Sequence, residues 1–267
     1  MSAIYTLGID VGSTASKCIM LKDGQEIVAK SLIDVGAGTS GPQRAIDAVL
    51  ENAGMKKEDV AFTLATGYGR NSLMNFADKQ MSELSCHARG AYFLFPDVHT
   101  VIDIGGQDVK VLHIDNGAMT NFQMNDKCAA GTGRFFEAMA KAFEMDLSEF
   151  SKLSLKAKNV IPITAQCTVF AESEVISLVG EGKPMDEIAA GIELSVAKRC
   201  FVMSKKAGAV DSITLTGGCA KNDGLKEAIE KVLNLKVIDL PIDPQLMGAL
   251  GAAEFARQKG MAKEGAV

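Results

Sequence analysis

The stretch IDVGSTASKCIMLKDG, residues 9–24, is matched without gaps by IDIGGQDVKVLHIDNG, residues 102–117. In each copy an apolar run is followed by an aspartate, a glycine-containing turn and a second apolar run. An Asp-Gly or Asn-Gly pair ends the copy. This order predicts a strand, a tight turn, a second strand and a hairpin. The matching polar and glycine positions are Asp10 and Asp103, Gly12 and Gly105, Lys17 and Lys110, and Gly24 and Gly117. Such a duplication predicts two similar α/β lobes with a cleft between them.

The repeat also predicts the domain organisation. We expect an N-terminal lobe over residues 1–96, completed by a C-terminal helix over 245–267, and a second lobe over 97–244. Apolar periodicity predicts helices at 43–53, 70–78, 133–145, 168–180, 185–207, 222–233 and 245–259. It predicts strands at 4–10, 16–21, 26–33, 60–66, 99–103, 108–114, 160–163, 212–216 and 236–238.

Composition limits the functional classes. The chain has 267 residues, of which 47% are hydrophobic and 23% are charged, as is typical of a soluble globular protein. The formal net charge is −5 and no basic run occurs, which argues against a nucleic-acid partner. No apolar run reaches the roughly 20 residues of a membrane helix, and the first residues lack the pattern of a signal peptide. We therefore expect a cytoplasmic protein without a membrane partner.

Three glycine turns follow apolar runs and are candidates for phosphate or nucleoside binding. The first glycine turn is residues 12–17, the second is residues 105–108, and the third is residues 217–222 in TLTGGCAKN. Glycine lets a backbone approach a ligand closely, and successive N–H groups form a cradle for anions. Two strand-end carboxylates beside phosphates would suit Mg²⁺. A single turn is better explained as a plain hairpin, whereas three turns, two of them related by a repeat, favour nucleotide binding.

A competing motif is GAGTSG, residues 36–41, which formally matches the dinucleotide-binding pattern G-x-G-x-x-G. A dinucleotide site also needs an acidic residue at the end of the next strand. Here Glu58 and Asp59 instead precede that strand, so a glycine-rich connection is the better interpretation. No GxxxxGK[ST] occurs, which argues against a P-loop fold.

Two of the six cysteines stand just before predicted helices. Cys128 lies in NDKCAAGTGRF and Cys167 lies in ITAQCTVFAESEVISL, so both are expected in the same local setting at a helix N-terminus. That setting favours a thiolate, which could be a nucleophile or a metal ligand, whereas a packed thiol remains the plain alternative. No histidine is close in sequence to act as a base. Of the other cysteines, Cys18 and Cys200 are expected to pack in the interior, and packing is also the better interpretation of Cys86, for which a weak metal pair with His87 is the alternative. Cys219 lies in the third glycine turn, where its shape is expected to matter more than its sulfur.

The metal hypothesis predicts an oligomer. A [4Fe–4S] cluster usually takes four cysteine ligands, and one chain offers two comparable ones. A twofold dimer would supply all four, with the cluster on its axis. No CxxC pair occurs, so a zinc or ferredoxin motif within one chain is absent.

The motifs together resemble a known family. Residues 8–17, 101–110 and 215–224 are similar to the two phosphate motifs and the adenosine motif of the acetate and sugar kinase/Hsp70/actin superfamily. With MNDKCAAGTGRF and TVFAESEVISL, the chain resembles the activator ATPases of 2-hydroxyacyl-CoA dehydratases, of the BadF/BadG/BcrA/BcrD type, over about residues 3 to 257. The resemblance implies two duplicated ribonuclease H-like, actin-like ATPase lobes with a nucleotide cleft between them.

The resemblance also implies an activity. A homodimer bridged by one [4Fe–4S] cluster through Cys128 and Cys167 would bind ATP or ADP with Mg²⁺. It would transfer one low-potential electron to a (R)-2-hydroxyacyl-CoA dehydratase, coupled to ATP hydrolysis, in anaerobic amino-acid fermentation. A ferredoxin or flavodoxin would recharge it. A small-molecule kinase of the same fold and a non-enzymatic nucleotide switch are the alternatives.

Site roles follow from the same motifs. We expect Asp10 and Asp103 to organise Mg²⁺, and Gln107 to orient the attacking water. The residues expected to hold phosphates are Gly12, Ser13, Thr14, Ala15, Ser16, Lys17, Gly105, Gly106 and Gln107. The residues expected to flank adenosine are Gly217, Gly218 and Asn222.

Overall fold

The computed structural model describes residues 3–208 and 211–264. It divides into two compact units. Unit 1 is formed by Met1–Asp97, Asp115–Met119 and Pro241–Val267, and unit 2 by Val98–Ile114 and Thr120–Leu240.

Strands and helices follow each other in mixed order along the chain. The strands are β1 (Tyr5–Val11), β2 (Ser16–Lys22), β3 (Glu26–Ile33), β4 (Phe62–Thr66), β5 (Lys79–Gln80), β6 (Thr100–Ile104), β7 (Val109–Asp115), β8 (Ala118–Asn125), β9 (Ile213–Thr216) and β10 (Val237–Ile238). The α-helices are α1 (Gly41–Ala53), α2 (Glu83–Leu94), α3 (Gly133–Ala142), α4 (Leu147–Leu153), α5 (Thr168–Gly180), α6 (Met185–Ala207), α7 (Asp223–Leu233) and α8 (Met247–Glu264). In the described part of the chain, no helix is long and apolar enough to cross a membrane.

The two sheets have the same strand order. The first sheet runs β3-β2-β1-β4-β5 and the second runs β8-β7-β6-β9-β10. In each, the first two strands of the repeat are antiparallel, and the first strand also pairs in parallel with a later one, β4 or β9. The repeat seen in the sequence is therefore a repeat of the fold, and the predicted duplicated α/β class is confirmed.

Small residues fix the packing inside unit 1. Helix α8 packs on β1, where a Cβ at Gly8 would lie 2.0 Å from the carbonyl oxygen of Ala249. Helices α2 and α8 approach equally closely, because a Cβ at Gly90 would lie 2.1 Å from the carbonyl oxygen of Met247. The C-terminal helix therefore completes the layer that covers the first sheet.

Unit 2 has a core built around phenylalanines. Helix α3 buries Phe135 and Phe136 on one face, and the Phe136 ring lies 6.1 Å from the ring of Phe150 on α4. Asp146 is the N-cap residue of helix α4, and its carboxylate accepts hydrogen bonds from the N–H groups of Ser148 and Glu149. Helix α6 runs through this core with Ile188, Ile192, Val196 and Cys200 among its buried residues.

Some predicted elements were wrong. Residues 70–78 form only a short 3-10 turn, Arg70–Leu73, followed by irregular backbone. The strand predicted at 160–163 is irregular, because it packs on α6: the Ile161 N–H donates to the carbonyl oxygen of Glu187. Helices α2 and α4 and strands β5 and β8 were not predicted. Strand β8 is largely exposed and lacks apolar alternation.

Candidate functional site

The first glycine turn connects β1 to β2 and lies against the glycine-rich segment 36–41. The Gly12 N–H donates to the carbonyl oxygen of Ala15 (2.9 Å), and the Ala37 N–H donates to the carbonyl oxygen of Gly12 (2.9 Å). A Cβ at Gly36 would lie 2.3 Å from the carbonyl oxygen of Ser13, so the close approach requires glycine there. The glycines of GAGTSG therefore pack against the first glycine turn. This packing agrees with their interpretation as a glycine-rich connection.

Within the first turn the predicted phosphate residues differ in exposure. Ala15 and Ser16 are buried, and the Ser16 hydroxyl donates to the carbonyl oxygen of Val35 (2.9 Å). Ser13 and Thr14 are partly exposed. The groups that a ligand can reach are therefore at Ser13 and Thr14, in the middle of the turn, and not at Ala15 and Ser16, where β2 begins.

Asp10 lies at the base of this turn in a buried ion pair. Its Oδ2 is 3.1 Å from Lys17 Nζ, and the two side chains are 4% and 12% exposed. A Cβ at Gly67 would lie 2.3 Å from Asp10 Oδ1, and one at Gly248 would lie 2.8 Å from Oδ2 and 3.0 Å from His87 Nε2. Two glycines thus enclose the carboxylate, with the His87 imidazole nearby.

The second glycine turn repeats this ion pair with more partners. Lys110 Nζ lies 3.2 Å from Asp103 Oδ2 and 2.7 Å from Asp108 Oδ1. The Thr216 hydroxyl donates to Asp103 Oδ1 (2.7 Å), so both carboxylate oxygens of Asp103 are engaged. Gln107 is exposed beside them. Asp10 and Asp103 also occupy the same register, directly opposite Lys17 and Lys110 on the neighbouring strands.

The second turn is bonded directly to helix α3. The Gly133 N–H donates to the carbonyl oxygen of Gly105 (2.8 Å), and the Arg134 N–H donates to that of Gly106 (3.0 Å). These two N–H groups belong to the first turn of α3, where helical N–H groups lack partners within the helix. The position of the glycine turn therefore determines where α3 begins.

The third glycine turn lies between β9 and α7. Gly217 has φ of +82°, and a Cβ there would lie 2.4 Å from the carbonyl oxygen of Ile104 on β6. A 3-10 turn, Gly218–Lys221, follows and leads to Asn222. Asn222 is buried and caps α7, because its Oδ1 accepts from the Leu225 N–H (2.9 Å).

The six cysteines separate into two groups by exposure. Cys128 is half-buried and Cys167 is exposed, whereas the other four are buried. Burial raises the pKa of each buried thiol to about 12, so these thiols stay protonated near neutral pH; they are Cys18, Cys86, Cys200 and Cys219. The accessible pair coincides with the two cysteines chosen from the sequence as metal ligands.

The expectation that Cys128 and Cys167 share one local setting was wrong. Cys167 is the N-cap residue of α5, whereas Cys128 lies four residues before Thr132, the N-cap of α3. A loop separates Cys128 from its helix because Gly131, at φ of +89°, turns the chain, and Asn125 Nδ2 donates to the carbonyl oxygen of Cys128 (3.0 Å). The helix dipole therefore acts directly on Cys167 only.

Two charged residues that the sequence reasoning missed hold the cysteine segments. Arg199 on α6 donates from Nη2 to the carbonyl oxygen of Gln166 (3.2 Å), and its Cδ lies 3.4 Å from the position of a Cβ on Gly131. One guanidinium side chain thus lies beside both cysteine segments. Helices α3 and α5 also pack against each other.

Glu174 is the second of these charged residues. Its carboxylate accepts from the N–H groups of Thr164 (3.0 Å) and Ala165 (2.9 Å), just before Cys167. Burial opposes ionisation, but these hydrogen bonds lower the pKa of Glu174. The segment before Cys167 is therefore tied to the helix that follows it.

A profile of the BadF/BadG/BcrA/BcrD ATPase family matches residues 7–256. The chain belongs to this ATPase family. The matched range includes both copies of the repeat, the third glycine turn and both accessible cysteines.

Relatives in the BadF/BadG/BcrA/BcrD ATPase family are similar over nearly the whole chain. The (R)-2-hydroxyglutaryl-CoA dehydratase activating ATPase of Acidaminococcus fermentans is 61% identical over 257 residues, covering 96% of this chain and 98% of that protein. The crystal structure of (R)-2-hydroxyglutaryl-CoA dehydratase component A from the same organism superposes with a TM-score of 0.93, at 61% identity, covering 97% and 99% of the two chains. The Clostridium difficile activator of 2-hydroxyisocaproyl-CoA dehydratase, solved with bound ADPNP, gives 0.93 at 48% identity, covering 99% and 98%. The predicted resemblance to dehydratase activators is confirmed.

The fold of this ATPase family member extends to more distant proteins. MreB 5 of Spiroplasma citri superposes with a TM-score of 0.57 at 14% identity, covering 100% of both chains. A likeness at this identity shows the fold alone, and it confirms the actin-like fold class.

The accessible Cys128 and Cys167 and the buried Asp103 are compatible with the groups that the family resemblance implies. In residues 3–208 and 211–264 no set of three or more His, Cys, Asp and Glu side chains is grouped to hold a metal ion. Cys128 and Cys167 are the two accessible thiols among the described residues, and two is half the number of cysteine ligands that a [4Fe–4S] cluster usually takes. Asp103 has both oxygens occupied, so it fits Mg²⁺ through water rather than directly.

Proposed function

We propose that this chain is an ATP-dependent activator that delivers one low-potential electron to a (R)-2-hydroxyacyl-CoA dehydratase. Two relatives that align over nearly their whole length are described as activators of such dehydratases. The observation that carries the proposal is the pair of hydrogen bonds from Gly133 and Arg134 to the second glycine turn. They join a candidate phosphate-binding turn to the helix that follows Cys128.

Cys128 and Cys167 of two copies would hold one [4Fe–4S] cluster, which when bound supplies the electron. The protein's own surface favours this assembly. Helix α5 begins at Cys167 and exposes Val169, Phe170 and Ile176, with Phe170 as much as 70% exposed. An apolar helix surface of this kind is typical of a protein–protein interface, and a second copy of the chain would cover it.

The glycine turns would hold the nucleotide. In the first turn the partly exposed Gly12, Ser13 and Thr14 would bind phosphates, as would Gly105 to Gln107 in the second turn. Gly217, Gly218 and Asn222 would flank the adenosine. The Clostridium difficile relative was solved with bound ADPNP, which supports ATP and ADP as ligands here. The buried ion pairs with Lys17 and Lys110 fix the two aspartates, so that they would organise Mg²⁺ through its water shell.

Hydrolysis would use a water molecule rather than a strong base from the protein. Gln107 is exposed in the second turn, and its amide could orient the attacking water. An amide neither takes up nor releases a proton near neutral pH, so a slow ATPase is expected. A shift of the second turn when the γ-phosphate leaves would move α3 through the hydrogen bonds from Gly133 and Arg134.

The partners follow from the same proposal. The dehydratase would accept the electron, and a ferredoxin or flavodoxin would supply it to the homodimer in the cytoplasm. The acyl group that the dehydratase uses is a property of the partner's pocket rather than of this chain.

Anaerobic purification tests the cluster site. The wild-type protein should be a dimer with about four iron atoms per two chains. Cys128→Ser and Cys167→Ser should each lose the iron but still bind ADP, since neither residue belongs to a glycine turn. Cys200→Ala removes a buried thiol on α6 and should keep full iron. Full iron in both serine variants would overturn the ligand assignment. Iron-free wild-type protein that still binds ATP would favour a kinase or a nucleotide switch.

A further inference from the structure

Glu193 is a buried carboxyl group beneath the third glycine turn. It lies in the middle of α6 and is 1% exposed, and its Oε1 has no hydrogen-bond partner among the described residues. A Cβ at Gly224 would lie 2.3 Å from Oε2 and 2.6 Å from Oε1. The carboxyl group is therefore pressed against the first turn of α7, and it can lie there only because residue 224 is glycine.

Two polar side chains contact this carboxyl group. They are Ser154, in the 3-10 turn Ser154–Lys156, and Asn222, in the third glycine turn. The Oδ1 of Asn222 already accepts from the Leu225 N–H, so the amide offers its NH₂ group to Glu193. A single carboxyl group thus connects α6, the turn after α4 and the start of α7.

Glu193 changes between its neutral and its ionised form near neutral pH. Burial raises its pKa to about 7, while hydrogen bonds from Ser154 and Asn222 partly oppose the rise and the negative charge of Glu227 on α7 adds to it. The other charged residues on the packed elements are Asp223, Lys226, Glu230 and Lys231 of α7, Glu149 and Lys152 of α4, Lys156 of the 3-10 turn, and Glu172 and Glu174 of α5.

We propose that Glu193 is a positioning residue for nucleoside binding, whose carboxyl group holds the Asn222 amide and thereby the third glycine turn. The proposal rests on the proposed function, in which Gly217, Gly218 and Asn222 flank adenosine. Asn222 joins the turn to α7, so a loss of its NH₂ partner frees the turn to move. The ionised carboxylate accepts these hydrogen bonds more strongly than the neutral acid does.

The test measures the affinity for ADP and for inorganic tripolyphosphate of the full-length protein. Glu193→Ala should weaken ADP binding by roughly tenfold, as expected for the loss of a charged hydrogen bond, and should leave tripolyphosphate affinity unchanged. Glu187→Gln is the matched control: it lies on the same helix, removes the same charge, and accepts instead from Asn159. It should leave both affinities unchanged.

The pH profile of ADP binding gives a readout that a purely structural role would not produce. The ADP affinity of the wild type and of Glu187→Gln should rise between pH 6 and pH 8, because Glu193 ionises over this range and its bond to Asn222 becomes stronger. In Glu193→Gln this group cannot ionise, so the rise in ADP affinity should be about threefold to tenfold smaller. The nucleotide's own titration is common to all three proteins. Glu193→Gln keeps the shape of the side chain, so this comparison stands even where Glu193→Ala does not fold.

Several results would overturn the proposal. Parallel pH profiles in Glu193→Gln and Glu187→Gln would show that Glu193 does not act on the turn, as would an unchanged ADP affinity in Glu193→Ala. Equal losses of ADP and tripolyphosphate affinity in Glu193→Ala would show that Glu193 does not act through the third glycine turn. If the wild type binds neither ligand, the proposed function itself fails, which is a separate outcome.

Discussion

Gly133 donates its backbone N–H to the carbonyl oxygen of Gly105 at 2.8 Å, so helix α3 starts on the second glycine turn. Cys128 precedes this helix by a short loop, whereas Gly105 belongs to the repeat that includes Asp103 and Lys110. In the proposed activator, this bond directly connects a phosphate-binding turn of unit 2 to the helix that follows Cys128, one of the cysteines that would hold the cluster.

Gly133→Ala tests that connection. A Cβ at Gly133 would lie 3.1 Å from the Cα of Gly106 and 3.4 Å from the carbonyl oxygen of Gly105, so the turn and the helix must separate slightly. We expect ATPase activity to fall by roughly tenfold, as for a small misplacement of catalytic groups, with iron content retained. Gly180→Ala on α5 meets no atom within 4 Å and should retain full activity. Equal activity in the two variants would argue against the connection.

Lys110→Met tests the buried ion pair of the second turn. The substitution leaves Asp103 and Asp108 without their shared cation, at a site where Lys110 is 4% exposed. We expect the free energy of unfolding to fall by about 3–5 kcal/mol, as for removal of one partner of a buried pair. Urea denaturation measures it. Lys236→Met is the control, since that lysine is fully exposed in its pair with Glu230, and the variant should unfold at nearly the wild-type urea concentration.

Glu193 should make stability depend on pH. Its pKa is raised from 4.5 to about 7 in the folded protein, so the folded state binds the extra proton between these two values. The stabilisation is complete below about pH 4.5 and is lost as pH rises through about 7, a change of about 3 kcal/mol. Chemical denaturation of wild type and Glu193→Gln from pH 5 to 8 should show a steeper decline in the wild type. Parallel declines would contradict the raised pKa.

Arg199→Gln tests the cation beside the two cysteine segments. Loss of its charge should destabilise the more negative, reduced cluster and lower the midpoint potential, on the order of tens of millivolts. Lys198→Gln removes the same charge from the neighbouring exposed position and should have a smaller effect. A redox titration followed by visible absorbance measures both. An equal shift in the two variants would assign the effect to net charge rather than to the position of Arg199.

The duplicated part of the fold could be predicted because its signals are local. Each copy carries an apolar strand, a glycine turn and a second strand within 16 residues, and the antiparallel pairing then places Asp10 opposite Lys17 and Asp103 opposite Lys110. Strand β8 was missed because its side chains are mostly exposed, so no apolar alternation marks it.

The supporting residues of the site could not be predicted in the same way. Arg199 reaches Gln166 across 33 positions of sequence, and Glu193 reaches Ser154 and Asn222 from the middle of α6. Nothing in the local pattern distinguishes these residues from other charged residues on a helix. The loop between Cys128 and α3 was not predicted for a related reason. The sequence does not show whether Gly131 is a left-handed loop residue, as it is in the structure, or the first residue of the helix.

Native mass spectrometry of the anaerobically purified protein tests the central claim most directly. Each chain has a mass of 28.2 kDa. A cluster shared between two copies should give a species of two chains plus one [4Fe–4S] cluster, which separates into cluster-free single chains when iron is removed by a chelator. A cluster retained by a single chain, or a dimer that forms and persists equally well without iron, would contradict a cluster shared through Cys128 and Cys167.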